Sequence, residues 1–409
     1  MNSRDKDIIL LGRVRDLARE YHADVISLRR HLHQHPELSF EEVETAKFVS
    51  QTLSSYGIAH TTGIGGHGIV ALIQGEGKGS RRCMALRADM DALPIAEAND
   101  VPYKSQRPGV MHACGHDAHT ASMLGAARIL HKLRPHFAGQ IKILFQPGEE
   151  KLPGGASLMI RDGALRKPRP AGIIGQHVHT PLPAGAVGFR AGMYMASSDE
   201  IYLSVRGKGG HGAMPHDCID PVAISAYILT ALQQLVSRYA EPTTPSVLTF
   251  GKINSTGGAT NVIPAEVRIE GTFRTMNERW RAEALKRIVA IARDTAKGMG
   301  GACEARIVRG YPMLYNHETL TTRVRAAAER FLGPDRVFDL PARMTSEDFA
   351  HYTYALPGCF YRLGTGNPDR GIVSQVHAPT FDIDEDSLYV GAGLPAWAAL
   401  ELLCADSGF

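Results

Sequence analysis

Gln140-Ile141-Lys142-Ile143-Leu144-Phe145-Gln146-Pro147-Gly148-Glu149-Glu150 reads as a buried strand that runs into a stop and two carboxylates. The apolar run has strand length, and Pro147-Gly148 halts it. On its N-terminal side, Gly115 to Leu133 reads as a helix rich in small residues. Cys83 to Arg87 and Ile69 to Gln74 read as further buried strands. Ser39 followed by Glu42 reads as a capping box opening a helix to about Tyr56, and Asp5 to Arg30 carries helical periodicity that ends near His35-Pro36. On its C-terminal side, Gly154 to Asp162 reads as a helix and Ile173 to Val178 as another apolar strand. Strands alternating with helices imply an α/β fold, a mainly parallel sheet covered on both faces.

The pattern changes after Pro183. Asp199 to Arg206 alternates as a half-buried strand, Ile219 to Arg238 is helical, Ser246 to Ile253 and Val262 to Arg274 are strands, Asn277 to Lys297 is a long helix and Cys303 to Val308 a last strand. Strand, helix, strand, strand, helix, strand is the order of a ferredoxin-like α+β domain. The first pattern returns after Tyr311, with helices over Glu318 to Leu332, Ser346 to Tyr352 and Asp384 to Cys404 and a strand over Cys359 to Leu363. The expected architecture is a discontinuous domain, residues 1–189 and 311–409, with a smaller domain inserted at 190–310.

The chain has 409 residues, 44% hydrophobic and 21% charged, with a net charge of +3. That size suits two domains. No long basic block points to nucleic acid or an anionic membrane. Arg161 to Arg169 is mildly basic, as a solvated loop would be. The six cysteines are scattered singly, and the apolar patch Ile8 to Leu11 is too short for a signal-peptide core or a membrane span. A cytoplasmic protein with reduced thiols is expected.

Met111-His112-Ala113-Cys114-Gly115-His116-Asp117-Ala118-His119 concentrates one thiol, three imidazoles and one carboxylate just before a helix. Cys and His are the usual ligands of a borderline-soft metal. Cys114 and His116 stand two apart, which suits a turn rather than one helix face. The strand ending at Phe145 delivers Glu149-Glu150, the strand ending near Gln176 delivers His177, and the C-terminal part offers His377. The carboxyl ends of parallel strands form one edge, where sites in open α/β sheets lie. Cys114, His116, Glu150, His177 and His377 exceed the needs of one tetrahedral zinc, so two metals with one bridging group fit better. In a paired Glu-Glu, one carboxylate can hold metal while its neighbour takes a proton from water.

Six ordered runs carry a resemblance: Leu86 to Pro94, Met111 to His119, Phe145 to Glu150, Gly209 to Ala213, Asn261 to Pro264 and His377 to Asp382. Together they resemble the M20 metallopeptidases, and within them the amidohydrolase branch that includes hippurate, N-acyl-amino-acid and auxin-conjugate hydrolases. The likeness runs from about Arg29 to Leu388. It implies a catalytic domain with an inserted lid that often dimerises, hence a homodimer through the lid. It further implies Cys114 as the bridging thiolate, His116, Glu150, His177 and His377 as the other ligands, and Glu149 as general base. His211 matches a lid histidine that helps hold the developing oxyanion, in some relatives across the dimer. Asn261 and Arg274 match lid positions near the substrate carboxylate. The implied cofactors are two divalent ions, Zn or Mn first, with Co and Ni also compatible. The implied substrate is a small N-acyl amino acid or related conjugate. One departure from the family pattern is Lys151-Leu152-Pro153, which precedes Gly154-Gly155 and bears on substrate preference.

Other polar groups have more than one reading. Asp89 and Asp91 either orient ligand histidines or cap a loop. His119 supports the ligands or the fold, and of His177 and His179 one ligand is expected. His31, His33 and His35 read as structural, and Asp217 and Asp220 as shaping a loop before a helix. Competing activities are a dipeptidase-like hydrolase on the same site, a cysteine hydrolase with Cys114 as nucleophile, and a non-catalytic binding protein.

Overall fold

The computed structural model describes residues 3–79 and 82–404. The chain forms two compact units: one runs to Gly192 and includes Tyr315–Pro341 and the chain from Asp348 on, and the other comprises Met193–Leu314 and Ala342–Glu347.

The first unit opens with helices α1 (Ser3–Glu20), α2 (His22–Gln34) and α3 (Val43–Ser55) and strands β1 (His60–Ile64), β2 (Gly68–Gln74) and β3 (Cys83–Asp89). Helix α4 (His116–Leu133), strand β4 (Gln140–Gln146), helix α5 (Gly155–Arg161), and strands β5 (Ile173–Pro183) and β6 (Val187–Phe189) follow. Eight strands form one sheet in the order β1, β2, β4, β3, β5, Gly358–Gly366, β6, Val337–Asp339. The centre, from β4 to Gly358–Gly366, is parallel. The expected parallel sheet therefore holds at the centre. Both margins turn antiparallel, at β1–β2–β4 and where β6 meets Gly358–Gly366. The sequence reading missed β1 and β6 because β1 is polar and largely exposed and β6 spans three residues.

Register decides which residues share an edge. Asp89 lies opposite Gln146, and His177 opposite Arg362. The carboxyl ends of β3 and β4 thus stand beside the middle of β5, where His177 lies; the strand expected to end near Gln176 runs on to Pro183 because its pairing with Gly358–Gly366 continues.

Helix α4 is buried around nearly its whole circumference, its polar His116, Asp117, His119, Thr120 and Ser122 included. Its small residues permit close packing: a Cβ on Gly125 would meet Val25 at 2.6 Å and Ala392 at 2.9 Å. Leu124, Ile129 and Leu130 are fully buried, each contributing about 1.5–3 kcal/mol relative to exposure.

Three local expectations are corrected. The periodicity of Asp5 to Arg30 belongs to two helices parted at the buried Tyr21, because a one-residue break leaves the apolar spacing almost intact. The capping box does not form: α3 has no side-chain cap, Ser39 donates to Asp91 (2.6 Å), and Glu42 accepts from the Phe40 and Gly148 amides. The helix expected over Ser346 to Tyr352 is confined to Ala350–Ala355, and Asp348 is occupied instead by tertiary hydrogen bonds.

The second unit is an antiparallel sheet in the order Ser246–Ser255, Glu266–Thr275, Asp199–Arg206, Ala302–Arg309. With helices Pro221–Gln234 and Glu278–Gly298 it has the ferredoxin-like strand order. The strand expected over Val262 to Arg274 is broken: Val262–Ile263 pairs instead with Gly210–His211, and Glu266–Thr275 starts beyond Pro264, which has no N–H to donate. Among the described residues no helix is long and apolar enough to cross a membrane, and Cys83, Cys114, Cys218, Cys303 and Cys359 are free thiols. The side chain of Cys404 lies outside the described residues.

Candidate metal centre

Cys114, Gly115 and His116 make the turn into α4. Gly115 sits at φ 80°, and a Cβ there would lie 2.5 Å from Val178 Cγ2, so only glycine fits. This turn sends the Cys114 thiol and the His116 ring to the same place, at the positive end of the helix dipole.

His116 and His177 are each oriented through Nδ1, which leaves Nε2 able to coordinate. His116 Nδ1 donates to Asp91, with the backbone carbonyl at 2.9 Å and Oδ1 at 3.2 Å. Its Nε2 is buried and makes no hydrogen bond. His177 Nδ1 donates to the Val178 carbonyl (2.8 Å), which leaves Nε2 3.4 Å from Cys114 Sγ. His377 adopts a left-handed backbone at φ 67°, held by its amide donating to Ala113 O (2.7 Å). Such strain in a non-glycine residue costs about 1–3 kcal/mol. It places Nε2 3.2 Å from Glu150 Oε1.

The donor atoms form two trios that share one sulfur. Cys114, His116 and His177 make the first, and Cys114, Glu150 and His377 the second, with the donor atoms of each within 4.8 Å of one another. Donors of His116, Glu149 and Glu150 lie equally close. A buried imidazole nitrogen without a partner, in a thiol, imidazole and carboxylate set, fits divalent metal.

The carboxylates behind the site have divided work. Asp91 serves His116, accepts the Glu150 amide (2.9 Å) and accepts the Ser39 hydroxyl. Burial acts to raise its carboxyl, but these donors hold it below the usual range. Asp89 accepts from His119 Nδ1 (2.6 Å) and from Arg87. Burial again opposes ionisation, and Arg87, His116 and His119 hold Asp89 well below the usual range. His119 Nε2 accepts the Val178 amide (2.9 Å), so both its nitrogens are spent and it supports the strand that carries His177.

The electrostatics favour a cation at the centre. Burial, reinforced by Arg362, pushes His177 well down and keeps its lone pair available. The Cys114 sulfur and the Glu150 carboxylate push His377 up to about 10. Burial and Glu150 push the Cys114 thiol up, opposite to what an activated cysteine nucleophile needs. Glu149 is 7% exposed and accepts the Asp348 amide at 3.3 Å.

Eight of the residues singled out in the sequence therefore meet in the first unit: Cys114, His116, Glu149, Glu150, His177, His377, Asp89 and Asp91. The other three lie in the second unit. His211 is exposed and pairs across the ribbon with Val262, while the neighbouring Gly212 amide donates to Asn261 O (2.7 Å). Arg274 is partly buried and faces the Met344 carbonyl and Ser346 hydroxyl, each at 3.4 Å. His33 lies in a buried network with Asp117, Glu97 and Arg29. The sequence reading missed Arg87, Gln146, Asp348, Ser39 and Glu42. For Arg87 and Gln146 a signal was present: polar side chains within or ending runs otherwise read as buried strands.

A family model described as Peptidase family M20/M25/M40 matches residues 85–399. The chain is 43% identical over 326 residues to the N-acyl-L-amino acid amidohydrolase of Geobacillus stearothermophilus, covering 78% of this chain and 87% of that protein. It is 37% identical over 383 residues to the IAA-amino acid hydrolase ILR1-like 4 of Arabidopsis thaliana, covering 93% and 86%. Among solved structures, the YXEP protein of Bacillus subtilis, described as a dinuclear metal binding peptidase from the M20 family, superposes with a TM-score of 0.79. The two are 33% identical, with 94% and 99% of the chains covered.

Proposed function

We propose that this chain, which belongs to peptidase family M20/M25/M40 and is a metal-dependent hydrolase of amide bonds, acts on N-acyl amino acids or related conjugates. The products are a carboxylic acid and a free amino acid. The carrying observation is the pair of ligand trios sharing Cys114, with Glu149 beside them.

In this reading Cys114, His116, His177, Glu150 and His377 would hold two divalent ions, the Cys114 thiol belonging to both donor trios. When bound, the ions supply Lewis-acid polarisation of the scissile carbonyl and ease deprotonation of water. Glu149 takes the proton of the attacking water and returns it to the leaving amine. Asp91 and Asp89 hold ligand-bearing groups from behind. On the sequence resemblance we assign His211 to the developing oxyanion and Asn261 and Arg274 to the substrate carboxylate. The same resemblance supports a catalytic domain at 1–189 and 311–409, a lid at 190–310, and a homodimer formed through that lid. The donor set suits Zn or Mn first, with Co or Ni also compatible. The scattered single cysteines support a reducing compartment, and a cytoplasmic location is the reading we adopt.

Glu149→Gln tests the central assignment. It is expected to keep its metal content and to lose about 10³-fold or more in kcat on N-acetyl, N-benzoyl or indole-acyl amino acids. Near-normal turnover would remove Glu149 from the base role. Activity that survives chelation would remove the metal from the reaction.

A further inference from the structure

The loop that carries Glu149 is built from permissive backbone. It joins β4 to α5 over residues 147–154 and has Gly148 at φ 59° and Gly154 at φ 81°. Such a loop does not by itself hold a carboxylate in one place. One buried side chain grips it at both ends. Asp348 accepts from Gln146 Nε2 (2.9 and 2.8 Å) before the loop and from the Ala156 amide (2.9 Å) after it. The Asp348 amide donates to Glu149 Oε1 (3.3 Å) in the middle. Asp348 and Arg87 are both fully buried. Arg87 donates Nη2 to Asp348 (2.7 Å) and Nε to Gln146 Oε1 (2.9 Å), closing a ring of three side chains. Its Nη1 donates to Asp89, which holds His119.

We propose that Asp348, fixed by Arg87 and Gln146, is a positioning residue for Glu149. The inference rests on the reading of Glu149 as general base. Asp348 clamps the loop ends with its carboxylate and aims the Glu149 carboxylate with its amide. A displacement of about 1 Å at a reacting group costs on the order of 100-fold in rate, so the tether acts on kcat. Both Asp348 carboxylate oxygens are taken by hydrogen bonds from Arg87, Gln146 and the Ala156 amide, so KM and metal content are expected to stay near the native values.

The experiment is a double-mutant cycle on metal-loaded enzyme, reading metal content, kcat and KM for one good N-acyl amino acid. Asp348→Asn is expected to lower kcat about 10–100-fold, with KM within about 2-fold and metal retained. In the Glu149→Gln background the same change is expected to alter the residual kcat by less than about 2-fold, because the group it positions is gone. Gln146→Met loosens one end of the clamp without touching Asp348 and is expected to lower kcat about 3–10-fold by the same route. Should Asp348→Asn not fold, Gln146→Met with and without Glu149→Gln carries the cycle. Equal losses in both backgrounds, or native kcat in the single variants, would overturn the positioning role while leaving Glu149 as base. Near-native kcat in Glu149→Gln alone would overturn both.

Discussion

Asp91 shows how one side chain organises two residues of the candidate metal centre. Its Oδ1 serves the His116 ring, and its Oδ2 serves both the Glu150 amide and the Ser39 hydroxyl. Asparagine keeps one acceptor oxygen and must abandon one side of this arrangement. Asp91→Asn is therefore expected to weaken metal binding about 10–100-fold in chelator competition, with much less effect on kcat at saturating metal. Unchanged affinity would reduce Asp91 to a loop cap. At this scale the sequence was informative where chemistry is concentrated. Cys114, His116 and Glu149-Glu150 announce themselves by residue type. Asp348 does not: its neighbours gave only a helical pattern, and its role exists through partners at Arg87, Gln146 and Ala156.

Among elements, strands and helices with strong apolar periodicity were legible nearly to the residue. Gln140–Gln146, Asp199–Arg206 and Glu318–Leu332 form where the sequence places them. Local polar signals were less reliable because tertiary partners compete for them. Ser39 and Glu42 have the spacing of a capping box, yet Asp91 and the Gly148 amide claim them. Asp220 had no such competitor. It caps helix Pro221–Gln234 by accepting from the Val222 (2.8 Å) and Ala223 (3.4 Å) amides. Asp220→Ala is expected to cost about 1 kcal/mol of stability, and Asp220→Asn only a small part of that. Denaturant unfolding measures both, and equal effects would argue against the cap.

Across the whole molecule, Glu42 ties pH to stability. Burial, with Asp91 nearby, pushes its carboxyl from 4.5 up to about 7, against the pull of its backbone donors. A raised carboxyl stabilises the fold fully below pH 4.5, and that stabilisation is lost as pH rises through about 7. The rise corresponds to about 3 kcal/mol. Glu42→Gln keeps an acceptor oxygen and never ionises. At matched metal loading, the stability of the native chain is expected to fall relative to this variant by up to about 3 kcal/mol between pH 5 and 8. Parallel stability curves would show that Glu42 ionises freely in the folded state.

The sequence by itself determined the α/β class, the parallel centre of the sheet and which thiol, imidazole and carboxylate residues gather in the candidate metal centre. These follow from apolar periodicity and residue type, which are local properties. Only the tertiary structure decided the rest. Register set Asp89 beside Gln146. Close packing demanded Gly115 and Gly125. Buried hydrogen bonding chose which nitrogen of His116 and of His177 stays free and tied Asp348 to the Glu149 loop. The reason is physical: a polar group shut away from water takes whatever partner the fold brings to it, and that partner is seldom near in sequence.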